Sequence, residues 1–222
     1  MIKMFDIQLR PLKDSLIDPI TRFIPSFITP LHLTFAAFLS GLLSCYLTSR
    51  TSTSSFSVLF WLVNRLLDCF DGALARHRNQ ASDLGGFLDL LGDFVVYSAI
   101  PISCAMNAVA QQAELWHLWL SVSVVEATFH VNNFVLFYVA AVVEKSKATA
   151  ALGSDKKALH VKVKELTSVA MRPALIEGFE SGLLFTIMLI RPALTESICW
   201  LMAAMVSIGI CQRLVWLVPV MT

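Results

Sequence analysis

Residues 68–93 read DCFDGALARHRNQASDLGGFLDLLGD, and four aspartates in this stretch decide how the chain folds. Asp68, Asp71, Asp89 and Asp93 stand at helical spacing inside runs that are otherwise apolar. An ionised side chain near a bilayer midplane costs roughly 2.5 to 3.5 kcal/mol, so four unpaired carboxylates would cost on the order of 10 kcal/mol. Carboxylates persist in such a setting where something cationic binds them, and a water-filled metal site is the expectation.

The rest of the chain supplies the apolar setting. Of its 222 residues 56% are hydrophobic and only 15% charged, and its mean hydropathy is +0.69. That is too apolar for an ordinary soluble domain and reads as one polytopic membrane domain over residues 1–222. Apolar runs bounded by charge, proline or polar clusters lie at 31–49, 56–75, 84–110, 115–143, 174–190 and 193–217. Each approaches or exceeds the roughly 17 to 25 residues that span a bilayer at about 1.5 Å per residue. The expected fold is therefore all-α, a six-helix transmembrane bundle over 31–217, preceded by an arm over 1–28.

In that arm Phe5, Leu9, Leu12 and Leu16 recur at helical spacing. They predict an N-terminal interfacial amphipathic helix interrupted at Pro11 and Pro19, with an irregular cytosolic arm as the alternative. Charges at Lys3, Asp6, Arg10, Lys13, Asp14 and Asp18 interrupt any apolar core there, so the stretch does not read as a secretory signal peptide.

Placing both termini in the cytosol assigns every Lys and Arg except Arg50 and Arg191 to the cytosolic side or its boundary. Arg65 and Arg213 weigh less in that count, because they lie some way into their helices. The turn after Arg76, and with it the mouth of the aspartate site, then faces the cytosol. Residues 144–172 form the one long loop, a solvated connection with anionic lipid contact as the alternative. The net charge of +1 is not gathered into a stripe, so no nucleic acid is expected as a partner. Cys45, Cys69, Cys104, Cys199 and Cys211 are scattered singly, without disulfide-framework or zinc spacing, and read as small core residues.

Spacing also places the carboxylates in space. Asp68, Asp71, Gly72 and Ala75 fall at i, i+3, i+4 and i+7 on one face of the second helix. Gly85, Asp89 and Asp93 share one face of the third. The short turn between them makes these helices antiparallel. Counted inward at 1.5 Å per residue, Asp71 and Asp68 lie about 7 and 12 Å from Arg76, and Asp89 and Asp93 about 9 and 15 Å from Asp83. Four hard oxygen donors meeting at two levels suit one or two divalent cations, and two metals are the usual clamp for in-line displacement at phosphorus. Arg76 can reach phosphate oxygens with a bidentate fork, with Ser82 a hydroxyl donor in the same turn.

The pattern Asp68-x2-Asp71-Gly72-x2-Ala75-Arg76-x8-Gly85-x3-Asp89-x3-Asp93 resembles, at every specified position, the signature of the CDP-alcohol phosphatidyltransferases. Eight fixed positions matched by chance about once in 15 each make an accidental hit on the order of one in a billion per starting position. Family members often carry Pro-Asn-x-x-Thr before the first membrane helix. Here Pro30 and Thr34 are present, and Leu31 stands in place of the asparagine.

The resemblance implies transfer of a substituted phosphate from a CDP-alcohol to an acceptor hydroxyl, with release of CMP, in phospholipid biosynthesis. It implies Asp68, Asp71, Asp89 and Asp93 as ligands of Mg²⁺ or Mn²⁺, held as a pair of ions, with Asp93 also the general base. Gly72, Ala75 and Gly85 then leave room for cytidine, with Arg76, Ser82 and Thr34 contacting the CDP-alcohol. The compact length resembles the members that use CDP-diacylglycerol with a small alcohol acceptor, working in membrane lipid, and the family likeness also implies a homodimer.

Glu126, His130 and Asn133 share a face of the fourth helix, and Arg172, Glu177 and Glu180 cluster at the start of the fifth. They bind the acceptor or pair with one another, and the sequence leaves both readings open. A scaffold of the same fold without activity and a divalent-cation transporter are the rival functions. The transporter needs acidic residues along a whole path, and the outer ends of these helices carry no matching set. A scaffold has no need of four costly aspartates.

Overall fold

The computed structural model describes residues 17, 19–50, 55–109, 115–153 and 178–221. Among them regular structure is helical throughout: α1 (Pro30–Arg50), α2 (Ser55–His77), α3 (Asp83–Val109), α4 (Trp116–Gly153), α5 (Gly178–Ile190) and α6 (Thr195–Met221). A 3-10 turn at Pro192–Leu194 leads into α6. The expected amphipathic helix of the first 16 residues lies outside the described residues, as do 154–177, which include Arg172 and Glu177.

Among the described residues, four segments are long and apolar enough to cross a membrane: Pro30–Arg50, Asp83–Ala108, Trp116–Val142 and Pro192–Val215. The other two expected spans differ for physical reasons. Helix α2 is 23 residues long, but Arg65, Asp68, Asp71 and Arg76 interrupt its apolar character. Helix α5 is described over 13 residues, about 20 Å of rise against a hydrocarbon core of about 30 Å. Helix α4 continues to Gly153, where the sequence suggests a loop from Glu144. Its last stretch, EKSKATAALG, is rich in alanine and lysine, strong helix formers, and ends at a glycine.

Local signals explain the ends that frame the bundle. Pro30 opens α1, where its missing N–H costs nothing. Before it, Thr29 Oγ1 accepts the His32 N–H at 3.3 Å while His32 Nδ1 accepts the Thr29 N–H at 3.3 Å, a reciprocal cap. Asn79 adopts φ 53° after α2, the left-handed conformation that asparagine tolerates, and the chain reverses there. Ser82 then caps α3 by accepting the Gly85 N–H at 3.1 Å.

Helix α1 packs along both α2 and α3, α4 packs along α6, and α5 bridges toward α2 and α3. In lipid the hydrophobic effect does not drive helices together, so small residues and interhelical hydrogen bonds carry much of the association. Ser44 donates to the Ser57 carbonyl at 2.7 Å. Asn107 donates to the Thr48 carbonyl at 2.7 Å, and Trp61 Nε1 donates to Thr186 Oγ1 at 2.8 Å. Apolar residues such as Phe35, Leu39, Leu43 and Tyr46 face outward from α1.

Gly41 sets the distance between α1 and α3. A Cβ there would lie 2.6 and 2.9 Å from the two Val96 methyls and 3.0 Å from Asn64 Nδ2. Val96 is fully buried and stiff at χ1, so it has no easy way to yield. Gly41→Ala is expected to cost about 1–3 kcal/mol; an unchanged melting temperature in detergent would show that the two helices separate freely. Arg78 ties the approach to α1 onto the α2–α3 turn through the Ile28 carbonyl at 2.6 Å and the Ile24 carbonyl at 2.6 Å. Arg78→Ala is expected to speed amide exchange over 24–28 while α1, α2 and α3 stay protected, as read by hydrogen–deuterium exchange. Exchange unchanged over 24–28 would assign that anchoring to other contacts.

Candidate active site

The antiparallel pair α2 and α3 brings its two acidic faces together, with α1 laid across them. Asp68 and Asp89 face one another across the helix pair at hydrogen-bonding range, and Asp71 and Asp93 are close enough to act on Asp89 electrostatically. Asp71 is buried, 5% exposed, and accepts the Thr34 hydroxyl on Oδ2 at 2.6 Å. Thr34 therefore reaches the aspartates even though Leu31 replaces the asparagine of the usual pattern. The three helices frame a shallow, open cleft lined by Thr34, Ala37, Phe38, Asn64, Asp68, Asp89, Gly92 and Asp93.

The glycines and the turn residues take up distinct places. A Cβ on Gly72 would sit 3.4 Å from Arg76 Nη1, so the Arg76 side chain folds back over Gly72 from the exposed end of α2. Gly92 comes as close to the Phe38 ring. Ala75 accepts the Gln80 N–H at 2.8 Å as α2 ends. Ser82 and Gly85 meet in the cap of α3, with Ser82 exposed at the same end of the bundle as Arg76.

The residues that sequence reasoning missed are Asn64, Arg65 and Tyr97. Arg65 Nη2 donates to Asp93 Oδ1 at 2.5 Å, and its Nη1 lies 3.8 Å from Asp68 Oδ2. Nη1 also donates to the Tyr97 hydroxyl at 2.7 Å and Nε to Asn64 Oδ1 at 2.7 Å. The guanidinium stacks near Trp61 and Tyr97, 4.9 and 5.0 Å from their ring centroids, a favourable cation–π arrangement. The sequence does carry one signal: Arg65 stands three residues before Asp68 and four after Trp61, on the same stripe of α2. Counting it among boundary cations hides that placement.

On α4, Glu126 faces Ser98 of α3, while His130 is exposed. Asn132, adjacent to the Asn133 singled out by spacing, accepts a hydrogen bond from Arg213 of α6. Glu180 sits partly buried in the first turn of α5. The structure thus joins polar residues of α4 to α3 and α6, and does not bring them to the aspartates.

Among the described residues no three His, Cys, Asp or Glu side chains converge as a ready-made metal group. The donor set nevertheless suits a hard cation. Asp68 and Asp89 are two acceptors turned toward each other, and such a pair repels unless positive charge or a proton lies between them. Carboxylate oxygens are the donors that Mg²⁺ and Mn²⁺ prefer.

Comparison with known proteins agrees with this geometry. A 112-residue stretch is 38% identical to the inner membrane protein YnjF of Escherichia coli (strain K12), covering 50% of this chain and 53% of that protein. The CDP-diacylglycerol–serine O-phosphatidyltransferase of Bacillus subtilis (strain 168) is 36% identical over 78 residues, 35% of this chain and 44% of its own. The CDP-diacylglycerol–glycerol-3-phosphate 3-phosphatidyltransferase of Blochmanniella floridana is 34% identical over 65 residues, 29% of this chain and 32% of its own. The chain thus spans about half the length, or less, of these curated relatives. The model of the CDP-alcohol phosphatidyltransferase family, by contrast, matches residues 23–210, which include all three helices of the cleft, and the chain belongs to that family.

Proposed function

We propose that this chain transfers a phosphatidyl group from CDP-diacylglycerol to the hydroxyl of a small polar alcohol, releasing CMP. The observation that carries the reading is that Asp68, Asp89 and Asp93 line one cleft between α1, α2 and α3, with Asp71 near enough to act on Asp89 electrostatically. In the proposed reaction the acceptor oxygen attacks the phosphatidyl phosphorus, the bond from that phosphorus to the CMP oxygen breaks, and CMP leaves with the electron pair. Asp93 takes the acceptor proton as general base.

Asp68, Asp71 and Asp89 are the principal ligands of the divalent ions, Mg²⁺ or Mn²⁺, with Asp93 beside them. When bound, the metal neutralises the leaving phosphate and polarises the phosphorus. Thr34 holds Asp71 through its hydroxyl. Gly72, Ala75 and Gly85 leave the helix faces low enough for cytidine to approach. Arg76 and Ser82, at the exposed end of the cleft, hold the diphosphate. In this reading the chain is one multi-pass membrane domain of six spans behind an interfacial N-terminal helix. The cleft opens to the cytosol, because Lys and Arg concentrate at the end that carries the α2–α3 turn. A homodimer belongs to the same reading.

The acceptor follows from charge. The relatives are named for serine and for glycerol 3-phosphate, and an anionic acceptor needs a basic pocket. In the described part of the cleft Arg65 is already committed to Asp93, which favours an uncharged or zwitterionic alcohol such as inositol or serine.

The test is CMP release by the purified protein with CDP-diacylglycerol and Mg²⁺ or Mn²⁺, across inositol, inositol phosphate, glycerol 3-phosphate, serine and phosphatidylglycerol. Metal-dependent release with one acceptor, lost in Asp93→Asn, is expected, with a rate loss on the order of 10²-fold or more. Full activity in Asp93→Asn would remove its assignment as base. Silence across the panel in folded protein would sink CDP-diacylglycerol transfer.

A further inference from the structure

Arg65 is held in a way that an anchoring arginine is not. An arginine that snorkels to an interface keeps its head in water, whereas the Arg65 side chain is 21% exposed and its donors are directed inward. Its Nε is fixed by Asn64, and Asn64 is fixed in turn by donating Nδ2 to the Ala37 carbonyl at 2.8 Å. Its ring-facing surfaces are occupied by Trp61 and Tyr97, and the Tyr97 hydroxyl takes Nη1. Backbone of α1, side chains of α2 and a tyrosine of α3 therefore aim one guanidinium at Asp93.

We infer that Arg65 is a positioning residue of this site: it fixes the Asp93 carboxylate through Oδ1 and lowers the negative charge that the four aspartates present to metal. The inference rests on the proposed transferase reading. Two physical consequences separate it from simple structural support. Arginine stays charged under all ordinary conditions, so with Arg65 in place the cluster carries one compensating positive charge. Removing that charge makes the cluster more attractive to a divalent cation. It also releases Asp93 to other orientations, and a general base works only within hydrogen-bond reach of the proton it takes. Loss of Arg65 therefore tightens metal binding while it slows turnover, two changes in opposite directions.

The experiment measures Mn²⁺ affinity without substrate, by electron paramagnetic resonance, beside CMP release, for the full chain and for Arg65→Gln, Arg65→Lys and Tyr97→Phe. Arg65→Gln is expected to bind Mn²⁺ more tightly, on the order of tenfold, and to lose kcat on the order of 10²-fold with little change in KM for the CDP-lipid. Arg65→Lys keeps the charge without the planar fork, so its Mn²⁺ affinity stays near that of the parent while kcat falls. Tyr97→Phe keeps the ring and loses the hydroxyl, with kcat lowered several-fold.

Wild-type turnover in Arg65→Gln would overturn the inference, and so would parallel loss of Mn²⁺ binding and turnover, which is the mark of a residue that merely holds the fold. If Arg65→Gln does not fold, unchanged kcat in both Arg65→Lys and Tyr97→Phe overturns it as well. A wild-type chain that neither binds Mn²⁺ nor releases CMP would overturn the transferase reading itself, and the inference with it. An active wild type with an indifferent Arg65 would overturn the inference alone.

Discussion

Charge in an apolar bundle has to be answered inside the bundle, and the packing of α1, α2 and α3 follows from that constraint. Asp71 is buried and satisfied by Thr34, and Asp93 is paired with Arg65 at 2.5 Å. Each pairing crosses a helix boundary. Removing one partner leaves the other without its answering group, at a cost that the partial exposure of Arg65 and Asp93 lessens. Rotating α2 by one residue, about 100°, would turn Asp71 away from Thr34 and Arg65 away from Asp93. The polar contacts therefore fix helix rotation, which lipid-facing apolar surface specifies only weakly.

Closeness is what makes those contacts reachable. Gly41 lets α1 approach α3 to the Val96 methyls, and Gly92 admits the Phe38 ring. At that spacing Asn64 can reach the Ala37 carbonyl of α1 and still accept from Arg65. Gly92 both lines the cleft and admits Phe38. Small side chains in a membrane bundle thus serve packing and site shape together.

Much of this architecture is legible in the amino-acid sequence. The two carboxylate faces follow from spacing of three and four residues, and their pairing follows from the short antiparallel turn. The similar depths of Asp68 and Asp93 are a matter of rise per residue. Long-range partners are harder to read. Arg65 lies 32 residues before Tyr97 and 28 before Asp93, and its meaning depends on how α2 is rotated, which apolar periodicity does not report. Asn132 rather than Asn133 meets Arg213 for the same reason. The extension of α4 to Gly153 escapes a reading by charge, which suggests solvated loop, because the neighbours of those charges are strong helix formers.

The pairing at Asp93 also has an aromatic backing. Trp61 precedes Arg65 by one turn and Tyr97 follows Asp93 by one turn, so both lie on the side of the ion pair away from the α2–α3 turn. Their rings meet edge to face at 6.1 Å, and Phe185 of α5 packs against both at 6.2 and 5.1 Å. Trp61 and Phe185 are fully buried or nearly so. This aromatic cluster packs against the Arg65 guanidinium, while Arg76 and Ser82 stand exposed near the α2–α3 turn. Water excluded from one side strengthens every charge interaction on the other. The cluster therefore backs the Arg65–Asp93 pair with buried aromatic surface, which favours keeping that pair together over separating it.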